Sequence, residues 1–174
     1  LIKFKIGGSL RFLSHAETLS LFQRALIRAG ISVQFSQGFN PRPKLSLPLP
    51  RPVGVASDDE FLCVRVRQVT DPESRIKSQL SAQVPEGCEV LSARIMEKNI
   101  PPQPRSATYV LVVRVEYLNE KLQAMIKRLS ESNSLIIQRK SPVSSCFGSE
   151  SIKNIDVRNF LKSINLDGNS IIVE

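Results

Sequence analysis

The feature that most constrains the fold is the spacing of apolar residues along residues 1–98. Segments in which they recur at every second position alternate with segments in which they recur at every third or fourth position. Near the start, Ile2, Phe4 and Ile6 fall on one side of the chain, while Lys3 and Lys5 fall on the other. A period of two residues is typical of a half-buried β-strand. Three further segments are predicted to be strands: Ser32–Phe35, residues 60–68 and residues 88–97.

Two amphipathic helices are predicted between these strands, because apolar residues recur there at spacings of three and four. The first helix should cover Ala16–Ala29, with Ser14 as its cap and Gly30 at its end. The second should have Asp71 as its cap and Pro72 as its first helical residue. The apolar stripes of the two helices comprise Leu19, Phe22, Leu26 and Ala29, and Ile76, Leu80 and Val84.

The order strand, helix, strand, strand, helix, strand predicts an α+β fold. It is the ferredoxin-like pattern, which we expect as an antiparallel sheet with two helices on one face. Residues 1–98 should therefore form a ferredoxin-like basic domain that carries the loop SQGFNPRPK at residues 36–44.

A second, smaller α+β unit is expected after a proline-rich linker. Residues 99–107 contain three prolines and no apolar periodicity, which indicates a boundary. Residues 108–174 begin with a strand, continue with a helix capped by Asn119 and a strand at residues 134–140, and end with a turn or short helix and one late strand. Because more sheet is expected there, this unit is predicted to be incomplete. The chain begins at Leu1 without a methionine, so we also expect it to be a piece of a longer protein.

Positive charge is concentrated in the first part of the chain. The net charge is +8, and residues 1–51 hold eight cationic side chains against one carboxylate, Glu17. A clustered positive field attracts polyanions, above all nucleic acid. Basic surfaces also serve solubility alone, so charge by itself leaves that simpler interpretation open.

The residue types that metal and catalytic sites need are sparse. Cys63, Cys88 and Cys146 are far apart, and the single histidine, His15, is near none of them. This argues against a zinc site or a disulfide framework and is compatible with a reducing cytoplasm. We find no bilayer-spanning apolar stretch, signal peptide or phosphate-binding glycine motif, and we expect no cofactor, metal or membrane contact.

The loop at residues 36–44 is the main candidate for a binding surface. Gly38 permits a positive φ, while Pro41 and Pro43 stiffen the chain, so less entropy is lost when the loop binds a partner. Arg42 and Lys44 suit phosphate contacts. A long, rigid connection without function is unusual, which favours binding over a merely solvated turn.

Three other side chains of this loop have two interpretations each. Gln37 and Asn40 could bind the edge of a base, or could simply face solvent. Phe39 is either a plug in the core or a platform on which a base stacks. The plug is the favoured interpretation, because large apolar side chains are usually buried.

Further candidates surround the start of the first helix. Capping is the favoured role of Ser14 and His15, although helix starts also attract anions. Acid or base catalysis by His15 has little support without a second histidine or a carboxylate pair. Arg24 and Arg28 extend the basic stripe, as Arg11 does ahead of the helix, although exposed helical cations are mostly solvated.

A set of residues within positions 1–67 has a recognisable arrangement: Arg11, Phe12, Ser14, His15, Arg24, Ala25, Gly30, Ser36 to Pro41, Pro43, Lys44, Pro52, Val53, Gly54 and Glu60. In this arrangement the chain resembles the radical-SAM-linked protein family, a domain encoded beside, or fused to, a cobalamin-binding radical SAM protein. The resemblance is only architectural after residue 67. The family more often has Leu-Asp after the Ser-His pair, where this chain has Ala16 and Glu17.

The resemblance implies a radical SAM protein as a partner. Because family members often neighbour RNA-processing and ribosomal-protein genes, it also points toward RNA. The leading hypothesis is a non-catalytic accessory module that presents RNA, either tRNA or rRNA, to a radical SAM RNA-modification enzyme. The residues expected to contact RNA are Arg11, Ser14, His15, Arg24, Arg28, Gln37, Gly38, Phe39, Asn40, Arg42 and Lys44.

Two alternatives stay open. One is an adaptor whose basic loop docks on the radical SAM partner. The other is a metal-independent endoribonuclease in which His15 is the base. The oligomeric state is not predicted.

Overall fold

The chain forms two compact units, Leu1–Pro104 and Arg105–Glu174. Their mixture of helices and antiparallel strands confirms the predicted α+β class. The division into residues 1–98, 99–107 and 108–174 stays a prediction, and part of its linker lies outside the described residues. The computed structural model describes residues 1–67, 72–96, 102–140 and 152–174.

The described residues of the first unit form a four-stranded sheet with two α-helices. Every neighbouring pair of strands is antiparallel, and the strand order is β2-β3-β1-β4. This order is compatible with the ferredoxin-like pattern predicted from the sequence. The elements are β1 at Ile2–Ile6, α1 at His15–Arg28, β2 at Leu45–Ser46, β3 at Ser57–Val64, α2 at Glu73–Ser81 and β4 at Cys88–Ala93.

The core of this unit lies between the sheet and both helices. Ile2, Phe4 and Ile6 alternate along β1 and are buried together, as their period of two predicts. Phe4 meets Phe22 of α1 edge to face, with ring centroids 4.5 Å apart. Leu80 of α2 joins the same buried cluster. Both helices therefore pack on the face of the sheet that β1 turns inward.

The opposite face of β1 carries charge. Lys3 pairs with Asp59 at 2.8 Å, and Lys5 pairs with Asp58 at 2.7 Å, so the acidic start of β3 neutralises these two cations. Both ion pairs are exposed and contribute little to stability, because solvent screens them.

The first helix begins and ends where the sequence predicts. The Ser14 hydroxyl accepts a hydrogen bond from the Glu17 amide at 3.3 Å, and the Glu17 carboxylate accepts one from the Ser14 amide at 2.8 Å. These reciprocal bonds form a capping box. At the other end, Gly30 adopts a positive φ of 68°, which a residue with a side chain disfavours.

The start of α2 differs from the prediction by one residue. Pro72 has φ −66° and ψ 154°, so its backbone is still extended and the first helical residue is Glu73. Pro72 therefore occupies the cap position instead of the first turn. The predicted cap, Asp71, lies outside the described residues.

The second strand also differs from the prediction. Ser32–Phe35 contributes only two isolated bridges, Val33 to Val66 and Phe35 to Pro43, and the true second strand, β2, follows the proline-rich loop. The partner of Phe35 is a proline, which has no amide hydrogen to donate, so a regular ladder cannot continue there.

In the described residues of the second unit, one α-helix, α3, accompanies two small antiparallel sheets. Its three-stranded sheet has the order β5-β9-β8, and its two-stranded sheet pairs β6 with β7. Asn119 caps the helix, as predicted, by accepting a hydrogen bond from the Leu122 amide at 3.0 Å. The elements are β5 at Tyr109–Val112, α3 at Glu120–Glu131, β6 at Ile136–Lys140, β7 at Ile152–Asp156, β8 at Ile164–Asp167 and β9 at Ser170–Val173.

The end of this unit holds three strands where the sequence analysis predicted one. A turn at Gly168, with φ 55°, joins β8 to β9 as a hairpin. Both strands are four residues long, so neither shows enough alternation to be recognised alone. Within the described ranges, none of the helices combines the length and apolarity that a membrane crossing requires.

The capping box predicts the effect of removing the Ser14 hydroxyl. Ser14→Ala should lower the free energy of unfolding by about 1 kcal/mol, because the first-turn amide of Glu17 loses its partner. Ser20→Ala is the matched control, since the Ser20 hydroxyl only donates to the Ala16 carbonyl within the helix. Urea unfolding of both variants should show a change below about 0.5 kcal/mol for the control. Equal losses in the two variants would contradict the role of the cap.

Candidate nucleic-acid interface

The proline-rich loop is a tight hairpin. Ser36 and Arg42 close it: the Ser36 amide donates to the Arg42 carbonyl at 2.8 Å, and the Arg42 amide donates to the Ser36 hydroxyl at 2.9 Å. One step further down, the Lys44 amide donates to the Gln34 carbonyl at 2.8 Å. We call residues 34–44 the basic hairpin. Gly38 lies at its tip with φ 124°, a conformation that favours glycine.

The tip of the basic hairpin presents its side chains to solvent. Gln37, Phe39 and Asn40 are all exposed. The ring of Phe39 is fully exposed, so the expectation that it plugs the core is wrong. A free aromatic face on a stiff loop can instead stack on a base.

Four cationic side chains belong to this region. Arg42 and Lys44 lie on the basic hairpin, and Arg65 and Arg67 lie on the adjoining segment after β3; all four are exposed. The Arg65 amide donates to the Lys44 carbonyl at 3.1 Å, which joins the two segments directly. Among the described residues, no carboxylate forms an ion pair with any of the four. We call these four residues the cation cluster.

Arg65 and Arg67 were not among the residues expected to bind. A signal was present, because both lie on the polar side of the alternating pattern in residues 60–68. The sequence does not show that this side continues the surface of the basic hairpin, since the two segments are about 20 residues apart along the chain.

The structure does not bring all the candidate residues together. Lys44 precedes β2, which pairs with Val64 at one end of β3, whereas Ser57 at the other end of β3 pairs with Ile6. Seven residues of strand separate these ends by about 23 Å. Arg11, Ser14 and His15 follow Ile6 and therefore lie at the end of the sheet far from the basic hairpin.

The helix start at that far end already holds a carboxylate. The Ser14 hydroxyl donates to Glu17 at 2.7 Å, and the hydrogen bonds from Ser14 lower the pKa of the Glu17 carboxyl. Because Glu17 is therefore anionic at neutral pH, the helix start is a poor site for a second anion. The His15 side chain is exposed beside it.

The two arginines on α1 differ. Arg28 donates a hydrogen bond to the Gln83 carbonyl at 2.8 Å, so its guanidinium is held by the protein itself. Arg24 is exposed in the second half of α1, one helical turn before Arg28. Neither belongs to the cation cluster.

Arg51 holds the far end together. Its guanidinium donates hydrogen bonds to the carbonyl oxygens of Arg11 at 2.7 Å, of Leu13 at 3.2 Å and of Val55. The Gly54 amide donates to the Arg11 carbonyl at 2.8 Å. These bonds tie residues 51–55 to the segment before α1. The Arg51 guanidinium therefore stabilises this part of the fold.

Glu60 is an acidic residue on the inner face of β3, paired in register with Phe4 and 8% exposed. Burial raises the pKa of its carboxyl above the ordinary value of 4.5, although a hydrogen bond with Ser57 and the charge of Arg51 oppose that shift. Among the described residues, no group of three or more histidine, cysteine, aspartate or glutamate side chains is placed to hold a metal ion.

Comparison with known proteins identifies a family of bacterial proteins. A family profile described as "Uncharacterized protein conserved in bacteria (DUF2344)" matches residues 1–174. The chain belongs to this DUF2344 family. The match extends through both units, whereas the resemblance seen in the sequence was carried by residues 1–67. No curated protein and no solved structure matches the DUF2344 chain significantly.

The buried carboxyl predicts a pH effect. Because the pKa of Glu60 is higher in the folded state than the ordinary value of 4.5, the folded state binds more protons just above that pH. The contribution of Glu60 to stability therefore falls as the pH rises through this window. Relative to the wild type, Glu60→Gln should gain stability as the pH rises from about 4 to about 7, as measured by urea unfolding.

The matched control for this change is Glu86→Gln, which alters the same chemical group at an exposed position after α2. The stability difference between this control and the wild type should vary less with pH. If the difference between Glu60→Gln and the wild type were independent of pH, burial of the carboxylate would not affect stability as argued.

Proposed function

We propose that this chain is a cytoplasmic, non-catalytic RNA-binding module that works with a radical SAM RNA-modification enzyme. The observation that carries the proposal is the cation cluster beside a stiff hairpin whose tip holds a fully exposed aromatic ring. RNA offers a binding group for each of these features: its phosphates can bind the cations, and the faces of its bases can stack on the ring.

The proposal locates RNA at one end of the sheet. Arg42 and Lys44 would contact phosphates, as expected from the sequence, and Arg65 and Arg67 would extend the same contact. Phe39 would stack on a base, with Gln37 and Asn40 beside it. Arg11, Ser14 and His15 lie too far from the basic hairpin to share one short RNA segment with it.

The radical SAM partner and the class of RNA, tRNA or rRNA, rest on the family resemblance. An accessory role fits a surface on which the described residues include exposed cations and a ring that can stack on a base. The separation of His15 from the basic hairpin also weakens the alternative of an endoribonuclease, because the proposed base would lie about 20 Å from the cation cluster.

Removing two cations of the basic hairpin should weaken RNA binding. Arg42→Ala combined with Lys44→Ala should reduce the affinity for total tRNA about tenfold in filter binding, and should reduce the steepness of its salt dependence, because two phosphate contacts are lost. Lys127→Ala combined with Arg128→Ala is the matched control, since it removes two exposed cations from α3. Unchanged affinity in the first variant, or binding by the wild type without salt dependence, would reject the proposal.

Nuclease treatment should separate RNA tethering from direct docking. When the chain is purified from cells that also produce the radical SAM partner, we expect the partner to be retained without ribonuclease and released with it. Retention after ribonuclease, together with its loss in the Arg42→Ala and Lys44→Ala variant, would instead support the adaptor alternative. Immunoblotting of the partner in the eluate measures both outcomes.

A further inference from the structure

An apolar cleft opens beside the basic hairpin, within the first unit. Its volume is about 470 Å³, which lies in the range of sites for small organic groups. Its lining includes the buried side chains of Ile2, Leu26 and Ala93 and the half-buried side chains of Val64 and Ile76. A cleft of this size and lining can take a flat, largely apolar group.

The mouth of the cleft is positively charged. Lys44, Arg65 and Arg94 line it and are exposed to solvent. Among the described residues, no carboxylate forms an ion pair with these three cations. Two of the three, Lys44 and Arg65, also belong to the cation cluster, so the cleft is continuous with the proposed RNA surface.

Two polar side chains that line the cleft favour a hydrogen-bonding ring over an acyl chain. The side-chain nitrogen of Gln34 donates to the Val66 carbonyl at 3.0 Å, which fixes the amide and leaves its oxygen as an acceptor. The Glu73 carboxylate accepts a hydrogen bond from the Ile95 amide at 2.7 Å and has capacity for further donors. Both groups accept hydrogen bonds, and the exocyclic amino groups of bases donate them.

We propose that this cleft receives one unpaired nucleotide of the bound RNA, with a base that carries an exocyclic amino group. The inference rests on the proposed RNA-binding function and adds a second contact to it. The base would enter between the aliphatic walls and meet Gln34 and Glu73, while its flanking phosphates would meet Lys44, Arg65 and Arg94. Insertion of unstacked bases into protein pockets is common in recognition of single-stranded RNA.

A bulky side chain at the mouth tests the proposal without changing any charge. Ser46 lines the cleft from β2 and is exposed, so Ser46→Trp should block entry and leave the cation cluster intact. Ile95→Trp blocks the cleft from another position and serves as a second variant. Ser32→Trp is the matched control, because Ser32 is exposed near the basic hairpin and does not line the cleft. Circular dichroism melts confirm that each variant is folded.

Three strands of about 12 nucleotides serve as probes: oligoadenylate, oligouridylate and an abasic strand with the same number of phosphates. We expect Ser46→Trp and Ile95→Trp in the full chain to weaken binding of oligoadenylate about tenfold, and binding of the other two strands by less than about twofold. Fluorescence anisotropy at one fixed salt concentration measures all three affinities.

The outcomes separate this inference from the function on which it rests. If both tryptophan variants bind oligoadenylate as the wild type does, or weaken all three strands equally, the cleft does not receive a base. In that case, salt-dependent tRNA binding by the wild type would still leave the RNA-binding proposal standing. If the wild type binds neither tRNA nor oligoadenylate, both proposals are overturned.

Discussion

Packing of β1 against α1 determines where the chemically useful side chains can lie. Because Ile2, Phe4 and Ile6 are all committed to the core, and Phe4 contacts Phe22, the helix must run back along the sheet from the end where β1 finishes. Residues before the helix then belong to one end of the sheet, and residues after it belong to the other. The basic hairpin and His15 are separated for this reason, although both lie within the first 44 residues.

The ring of Phe39 is fully exposed, so the basic hairpin lacks the stabilisation that burying this ring would give. Burying a phenylalanine side chain stabilises a fold by about 1.5–3 kcal/mol relative to leaving it in water. The hairpin forgoes that gain, and its two prolines and its closing hydrogen bonds between Ser36 and Arg42 hold the tip away from the core. A stiff loop that presents an aromatic face loses little entropy when a flat group stacks on it. An exposed ring on a stiff loop is what the proposed contact with RNA requires of the hairpin.

The sequence predicts the local elements of this protein well and the long-range ones less well. The capping box of Ser14 and Glu17, the glycine that ends α1 and the Asn119 cap depend on residues a few positions apart, so their patterns are visible in the chain itself. The strand β2 was misplaced for two reasons. Its partner, Cys63–Val64, is distant in sequence, and the bridge of Phe35 to Pro43 cannot continue as a ladder along the predicted strand Ser32–Phe35. The distance of Arg11, Ser14 and His15 from the basic hairpin was missed for a similar reason: it depends on which end of the sheet each segment occupies, and not on residues a few positions apart.

The net charge suggests more available cations than a polyanion can contact. Of the eight cations within residues 1–51, Lys3 and Lys5 are paired with aspartates, Arg51 is bound to backbone carbonyls and Arg28 is bound to Gln83. What remains concentrated at one place is the cation cluster, to which two arginines outside that segment contribute. A polyanion responds to the local field of unneutralised charges, because charges beyond about 10 Å are screened at ordinary salt. The basic character of the amino-terminal segment therefore acts mainly at the end of the sheet where the basic hairpin, Arg65 and the apolar cleft meet.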